Sequence, residues 1–496
     1  MEFLILILYL LGILGITWFI NKQYLSEFKS YLIPTLFVFK FGIALFFLYV
    51  YTYHYGGGEL TADARRFFDE SKLLHQVFYE SPTDYFKLLF GFDENPKLID
   101  KYLDATSHWN VGDQLLPNDS RNVIKINSLF LFLSNGQVVI HFLFFSLASF
   151  LGGIDLYQFV KKHSKLPKGL LIILMTLTPS IAFWSSSIIK EPLMILGLCL
   201  VIRATFDNLS LKQKAWRFLV GGVFLIGFKP YVFLCLLVAF SFYWIFSRIS
   251  KNQALNLAIF FIVGFTTLYF SGIMNKAVNV ISKQQEDFIN VRDGGLYVHE
   301  DDTHYYYIYF KNRNHFEIEG DSAKLIAPVG AYHMKINENY IRRPVNLTDV
   351  GKKYKIGVRL QKAGSGIPVT PIKDNPITMI TMIPEVIFNT MVRPIPDQKS
   401  SWLQYPAFLE NILIILGIIM AFIIYPRKLE KQDQRILITL GIFSFVVMLI
   451  VGWTTPVVGA IVRYIIPSLL GIVLIIALKI DRIPFLERIF TPLLKK

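Results

Sequence analysis

The chain reads as an all-α polytopic membrane protein of about eleven transmembrane helices with a small extracytoplasmic α+β insert domain. Three observations predict this class. Of 496 residues, 53% are hydrophobic and 15% aromatic, with a mean hydropathy of +0.46, too apolar for a soluble multidomain protein. Apolar runs of membrane-crossing length recur along the sequence. The basic residues cluster in short stretches between those runs, so the net charge of +14 reports topology and no nucleic-acid partner is expected.

Taken in order, spans are expected over 2–20, 31–52, 136–159, 168–186, 191–207, 216–228, 231–247, 254–272, 404–425, 435–453 and 461–479. The first run, MEFLILILYLLGILGITWFI, has neither a basic leader nor a small-residue cleavage site and is expected as a span rather than a signal peptide. Five segments follow: N-terminal membrane helices (1–52), a first extracytoplasmic region with an acidic motif and surface helices (53–127), central membrane helices (128–272), an extracytoplasmic mixed insert (273–402), and C-terminal helices with a cytoplasmic tail (403–496). Clusters around Lys22 and Lys29, Lys161 to Lys168, Lys212 to Arg217, Arg248 and Lys251, Arg427 to Arg435, and Lys479 to Lys496 mark the cytoplasmic side. That places the N-terminus outside and the C-terminus inside. In the first outer region FFDESKLLHQVF and PTDYFKLLF are amphipathic and suit the membrane surface. In the insert, THYYYIYF and HFEIEG flank the polar turn KNRN, the pattern of a hairpin.

The stretch GGGELTADARRFF (56–68) looks like the edge of a site. Its glycines free the chain to leave a membrane helix, and Thr61 reads as a helix cap. On the helix that follows, Asp63, Arg66 and Phe67 share a face, with Glu59 and Arg65 close by. Taken alone, an N-terminal acid and a solvated basic pair explain this equally well. Other charges shift the balance, because a charge at a membrane edge needs a partner or a function. Lys190 and Glu191 lie in PSIAFWSSSIIKEP, Lys229 and Tyr231 in GFKPY, Arg393 in NTMVRPIP, and Arg463 and Tyr464 in WTTPVVGAIVRY. One such cation alone is best explained by snorkelling to the headgroups. Gathered at one outer mouth beside a carboxylate, they suit a lipid phosphate or diphosphate and a base that takes a hydroxyl proton. Lys40, Asp155 and Glu410, inside spans, are expected to pair between helices. Cys199 and Cys235 lie in apolar runs, and His75 and His108 lack metal-ligand spacing, so neither a disulfide nor a metal site is expected.

The acidic motif after an early span (Glu59, Asp63), the P-x5-SS-x3-KE turn from Pro179 to Glu191, the KPY turn from Lys229 to Tyr231, the RP-x-P element from Arg393 to Pro396 and the late Arg463-Tyr464 resemble the C-type (GT-C-like) envelope glycosyltransferases of bacteria. The resemblance covers about Tyr53 to Pro467, and each motif in it is short. This chain has Lys-Glu where related chains often have Lys-Asp, and Lys-Pro-Tyr where they often have Arg-Pro-Tyr. The first span is additional, and the insert has no counterpart.

The resemblance implies sugar transfer from a polyprenyl-phosphate-linked donor on the outer face of the bacterial cytoplasmic (inner) membrane. Asp63 would act as general base, with Glu59 as its substitute or as a metal or acceptor contact. Arg65, Arg66, Lys190, Lys229, Arg393 and Arg463 would bind the substrate phosphate, and Glu191, Tyr231 and Tyr464 would line the substrate. No cofactor and no metal would be needed, since cations neutralise the leaving phosphate. An O-antigen-type polysaccharide polymerase or ligase would show the same features. A transporter, a flippase or a subunit of an envelope complex is the reading without chemistry, kept open by Lys40 near mid-span.

Overall fold

The structure, a computed structural model, describes residues 2–91, 96–103, 106, 108–109, 119–301, 304–335, 343–359, 363–372, 376–396 and 401–495. It opens with α1 (Glu2–Tyr24) and α2 (Leu32–Tyr49), which runs on through a π-turn, Val50–His54. A layer of amphipathic helices follows: α3 (Ala62–Glu80), α4 (Pro82–Phe90), α5 (Pro96–Tyr102) and α6 (Asp119–Ser134). The apolar faces of α3 and α4 are buried, through Phe67, Phe68, Leu74, Tyr85 and Leu88, and α3 packs on α6. This layer is thus part of the core rather than a loose surface coat.

The long α7 (Val138–His163) packs against α1, α2, α8 (Lys168–Leu177) and α10 (Glu191–Phe206). Between α8 and α10 lies α9 (Pro179–Trp184), so the span expected over 168–186 is two helices. Thr178 is extended, as the residue before a proline prefers, and the helix cannot continue through Pro179. Next come α11 (Leu211–Phe228), α12 (Pro230–Trp244), α13 (Gln253–Phe270) and α14 (Ile273–Asp293). Glycines let α10 and α11 touch: a side chain at Gly197 would meet the Gly221 carbonyl at 2.8 Å, and one at Gly221 would meet Val201 at 2.7 Å.

The insert is a seven-stranded antiparallel sheet in the order β3-β4-β7-β1-β2-β5-β6, with β1 (Leu296–His299), β2 (His304–Ile308), β3 (Phe316–Glu319), β4 (Ser322–Leu325), β5 (Val329–Lys335), β6 (Arg343–Leu347) and β7 (Lys353–Arg359). KNRN does not join a hairpin. It lies in a 3-10 turn, Phe310–His315; β2 pairs with β1 and β5, whereas β3 pairs with β4. Beyond the sheet come α15 (Pro376–Thr381), α16 (Ile383–Met391), α17 (Gln404–Ile419, extended by a π-turn to Ile424), α18 (Lys431–Thr454), α19 (Val458–Tyr464), α20 (Ile466–Lys479) and α21 (Pro484–Phe490).

Seven helices among the described residues are long and apolar enough to cross a membrane, and α19 with α20, bent by 56°, make an eighth if counted as one broken span. This is the architecture of a multi-pass membrane protein. The expected eleven included α8 to α9, α10 and α11 as full crossings. At 1.5 Å per residue the 16 residues of α10 reach only about 24 Å, short of a hydrocarbon core of about 30 Å.

The basic loops gather at one end of the bundle. There Asp155 pairs with Arg203 and, at 2.9 Å, with Arg217, so it does bridge helices. Lys161 meets Glu27 at 2.8 Å, Lys162 meets Asp207 at 2.7 Å, and Asp433 joins His163 and Arg427. The α3–α6 layer and the insert lie at the other end. We expect Gly197→Leu, which forces α10 and α11 apart, to destabilise the protein by about 1–3 kcal/mol, read as a lower thermal midpoint in detergent.

Candidate functional site

The site is centred on Arg463, in the last turn of α19, where a helix C-terminus favours a cation. Its guanidinium forks onto Glu191, with Nε donating to Oε1 at 2.8 Å and Nη2 to Oε2 at 3.1 Å. Nη1 donates to Oδ2 of Asp63 at 2.7 Å. Glu191 opens α10 and its side chain is 1% exposed; Asp63 opens α3 and is 45% exposed. One arginine therefore ties a buried acid to one that reaches solvent, and both acids sit in helix first turns, where the dipole favours them.

Two lysines complete the cluster. Lys229 caps α11, and Pro230 starts α12 directly after it; this tight turn places the Lys229 ammonium 3.6 Å from Glu191 and 4.6 Å from the centre of the Tyr464 ring. Lys190, just before Glu191, pairs with Asp119 at the start of α6. Tyr231 lies 5.8 Å from Lys229, and Trp184 lies 5.8 Å from Arg463. Three cations thus face three carboxylates. Among the described residues Arg463 spends three of its five N–H donors, all on Glu191 and Asp63, and two remain.

The insert reaches this cluster. Phe288 on α14 meets the Tyr464 ring edge-on at 6.0 Å. The chain returning from the sheet pairs with the approach to α19: Gly366 bridges Val457, Ile367 N donates to Pro456 O, and Val458 N to Ser365 O. That strap fixes where α19, and so Arg463, begins.

Several residues expected at one mouth are elsewhere. Glu59 is 71% exposed and pairs with Arg65 at 2.5 Å, and Arg65 also bonds Asp69, away from Arg463. Arg66 is exposed, although its charge is felt at Asp63. Phe67 faces inward against His108, so Asp63, Arg66 and Phe67 do not present one surface to a ligand. Thr61 occupies the cap position of α3 without a side-chain capping bond, and Ala62 turns the chain at φ +59°. Arg393 borders a separate cleft formed by α16, α17, α19 and α20. Lys40, 1% exposed, donates to Ser185 Oγ at 2.7 Å and to the Ala182 carbonyl at 3.2 Å; its partners are a hydroxyl and a backbone oxygen rather than an acid. Asp119 and Phe288 belong to the site but carry no motif, since only packing brings them there, whereas Trp184 lies within the Pro179–Glu191 turn.

Among the described residues no group of three or more His, Cys, Asp or Glu side chains could hold a metal ion. No family model matches the chain, and no characterised protein or solved structure matches it significantly.

Burial pushes the Asp63 carboxyl up, but Arg463, with Lys190 and Arg66 behind it, more than reverses this and leaves it below the ordinary carboxylate value. With the folded pKa below the unfolded one, Asp63 contributes stability above about pH 4 and loses it as pH falls through the folded value. Asp63→Asn should therefore show a smaller drop in thermal midpoint than wild type between about pH 4 and pH 2. Glu191→Gln leaves Arg463 and Lys229 buried with too little negative charge and should cost about 3–5 kcal/mol, measured by denaturation at neutral pH.

Proposed function

We propose that the protein is an integral membrane glycosyltransferase that takes a sugar from a polyprenyl-phosphate-linked donor at the outer face of a bacterial cytoplasmic membrane, in envelope glycan or glycoconjugate assembly. The observation that carries this reading is the sharing of Arg463 between buried Glu191 and accessible Asp63, with Lys229 and Lys190 alongside. Glu191 holds the cations in place and is too enclosed to receive a proton from substrate. Asp63 is accessible, ionised and, among the described residues, held by the Arg463 contact alone, which a ligand can replace.

In the proposed reaction the donor phosphate binds the free N–H groups of Arg463 and the two lysines and draws Arg463 away from Asp63. Asp63 then loses the charge that weakened it as a base. The acceptor oxygen forms a bond to the anomeric carbon while the bond from that carbon to the phosphate oxygen breaks, and the electron pair leaves on the phosphate. Asp63 accepts the acceptor's proton, and the cations stabilise the negative charge that develops. Glu59 and Arg65, on the exposed side of the motif, are left to acceptor contacts.

The breaks at Thr178 and at Ile465 favour a second reading, transport, because interrupted helices are a mark of transporters. An O-antigen-type polymerase or ligase is the alternative within the same chemistry, and envelope-complex partners are compatible with either. Cells carrying Asp63→Asn or Arg463→Gln, at wild-type protein level, should accumulate a lipid-linked precursor and lose its glycan product about 10²-fold or more. Lipid extraction with mass spectrometry reads this. A single-unit precursor fits a polymerase, and a precursor lacking one sugar fits a transferase. Unchanged lipid and glycan pools would sink both, leaving transport.

A further inference from the structure

Three tyrosines border the Arg463 cluster, and they use their rings differently. Tyr464 and Tyr231 turn theirs toward a cation, with the Lys229 ammonium 4.6 Å from the first ring centre and 5.8 Å from the second. Among the described residues no cation sits over the ring of Tyr51. That ring is taken up by other rings: it stacks on Phe47, with centres 4.2 Å apart and planes 9° from parallel, and meets Trp184 edge-on at 6.4 Å and Tyr55 at 5.4 Å. Trp184 in turn lies 5.8 Å from the Arg463 guanidinium, so a single indole connects Tyr51 to that cation.

The backbone fixes this placement. Tyr51 lies in the π-turn Val50–His54, where the wider turn re-aims the side chains that follow α2. The glycine loop then folds back on the turn: Gly58 N donates to Thr52 O at 2.9 Å, and a side chain at Gly56 would meet the Tyr51 carbonyl at 2.6 Å. The same loop leads into α3 and Asp63. One short stretch of chain therefore holds both Tyr51 and Asp63.

With its ring engaged, Tyr51 has only its hydroxyl left to offer. The side chain is half-buried, and the hydroxyl makes no hydrogen bond among the described residues, whereas that of Tyr55 is taken by Ser401. It lies close enough to Arg463, Asp63 and Glu191 for all three charges to act on it. A phenol donates a strong hydrogen bond to an anion and brings no charge of its own. That suits a site whose three cations already face three carboxylates. We propose that the Tyr51 hydroxyl is a further phosphate-binding group, donating to the phosphate oxygen that takes Arg463 from Asp63. Phe47 and Trp184 hold the ring so that the donor is in place beforehand. The inference rests on the reading of Arg463 as a phosphate site given above.

The test uses the full chain in nanodiscs of phosphatidylcholine containing equal small fractions of undecaprenyl phosphate and undecaprenol, with native mass spectrometry of retained lipid. The two probes differ only in the phosphate. Wild type should retain the phosphate about 10²-fold over the alcohol, and Tyr51→Phe only about tenfold, the loss of one hydrogen bond to a charged group. Tyr55→Phe, which removes a hydroxyl already bonded to Ser401, should keep the wild-type ratio. Equal retention of the two probes by wild type would overturn the phosphate reading and this inference together. A wild-type preference that Tyr51→Phe leaves intact would overturn this inference alone. Because the hydroxyl bonds nothing among the described residues, Tyr51→Phe should also keep the wild-type thermal midpoint in detergent; a clear fall would show the hydroxyl to be structural and reject the assignment.

Discussion

The fork between Arg463 and Glu191 is the contact on which the upper part of the molecule depends. A guanidinium or a carboxylate in such an enclosed place is costly unless it meets its opposite with good geometry. Here the geometry is bidentate, and it joins α10 to α19 across most of the chain. Lys229 adds the α11–α12 turn to the same carboxylate, and Asp63 adds α3 to the same guanidinium. Four separate parts of the fold are therefore oriented by two side chains, and the remaining donors of Arg463 point where none of those parts uses them.

The broken helices follow from the same requirement. An arginine near the end of a straight span would follow the helix axis, whereas the 56° bend between α19 and α20 turns Arg463 sideways toward Glu191. The strap at 365–367 steadies the short α19 from the side of the insert. At α9 a break of the same kind lets serines 185–187 enter the core, where Lys40 bonds Ser185 and the Ser149 hydroxyl donates to the Ser185 carbonyl at 2.6 Å. Helix ends, rather than helix middles, build the site.

What could be read in the sequence was what depends on local pattern. The long apolar runs, the basic loops that meet at one end, and the charges of the KE, KPY and RY turns were all visible, because hydropathy and charge act residue by residue. What could not be read depended on direction. Glu59 and Asp63 are four residues apart, yet the positive φ of Ala62 turns the chain between them, and they serve different partners. Arg393 resembles the other cations, but which face of α19 it meets is decided by rotation of a helix more than sixty residues later. KNRN has the composition of a hairpin turn, but β2 is claimed on both edges by β1 and β5, a pairing no window around KNRN contains. Asp119 belongs to no motif, and packing alone sets it against Lys190.

The distance along the chain between Glu191 and Arg463 has a consequence for biosynthesis. They are separated by 272 residues, and at about 5–20 residues per second the ribosome delivers the arginine tens of seconds after the acid. Through that interval the Glu191 carboxylate has Lys229 beside it, a looser pair at 3.6 Å, but not its guanidinium. The late helix α19 is thus the keystone of the nascent protein. A chain that stalls short of it is left with a poorly compensated acid at the membrane, the kind of defect on which a cell's surveillance of unassembled membrane proteins can act.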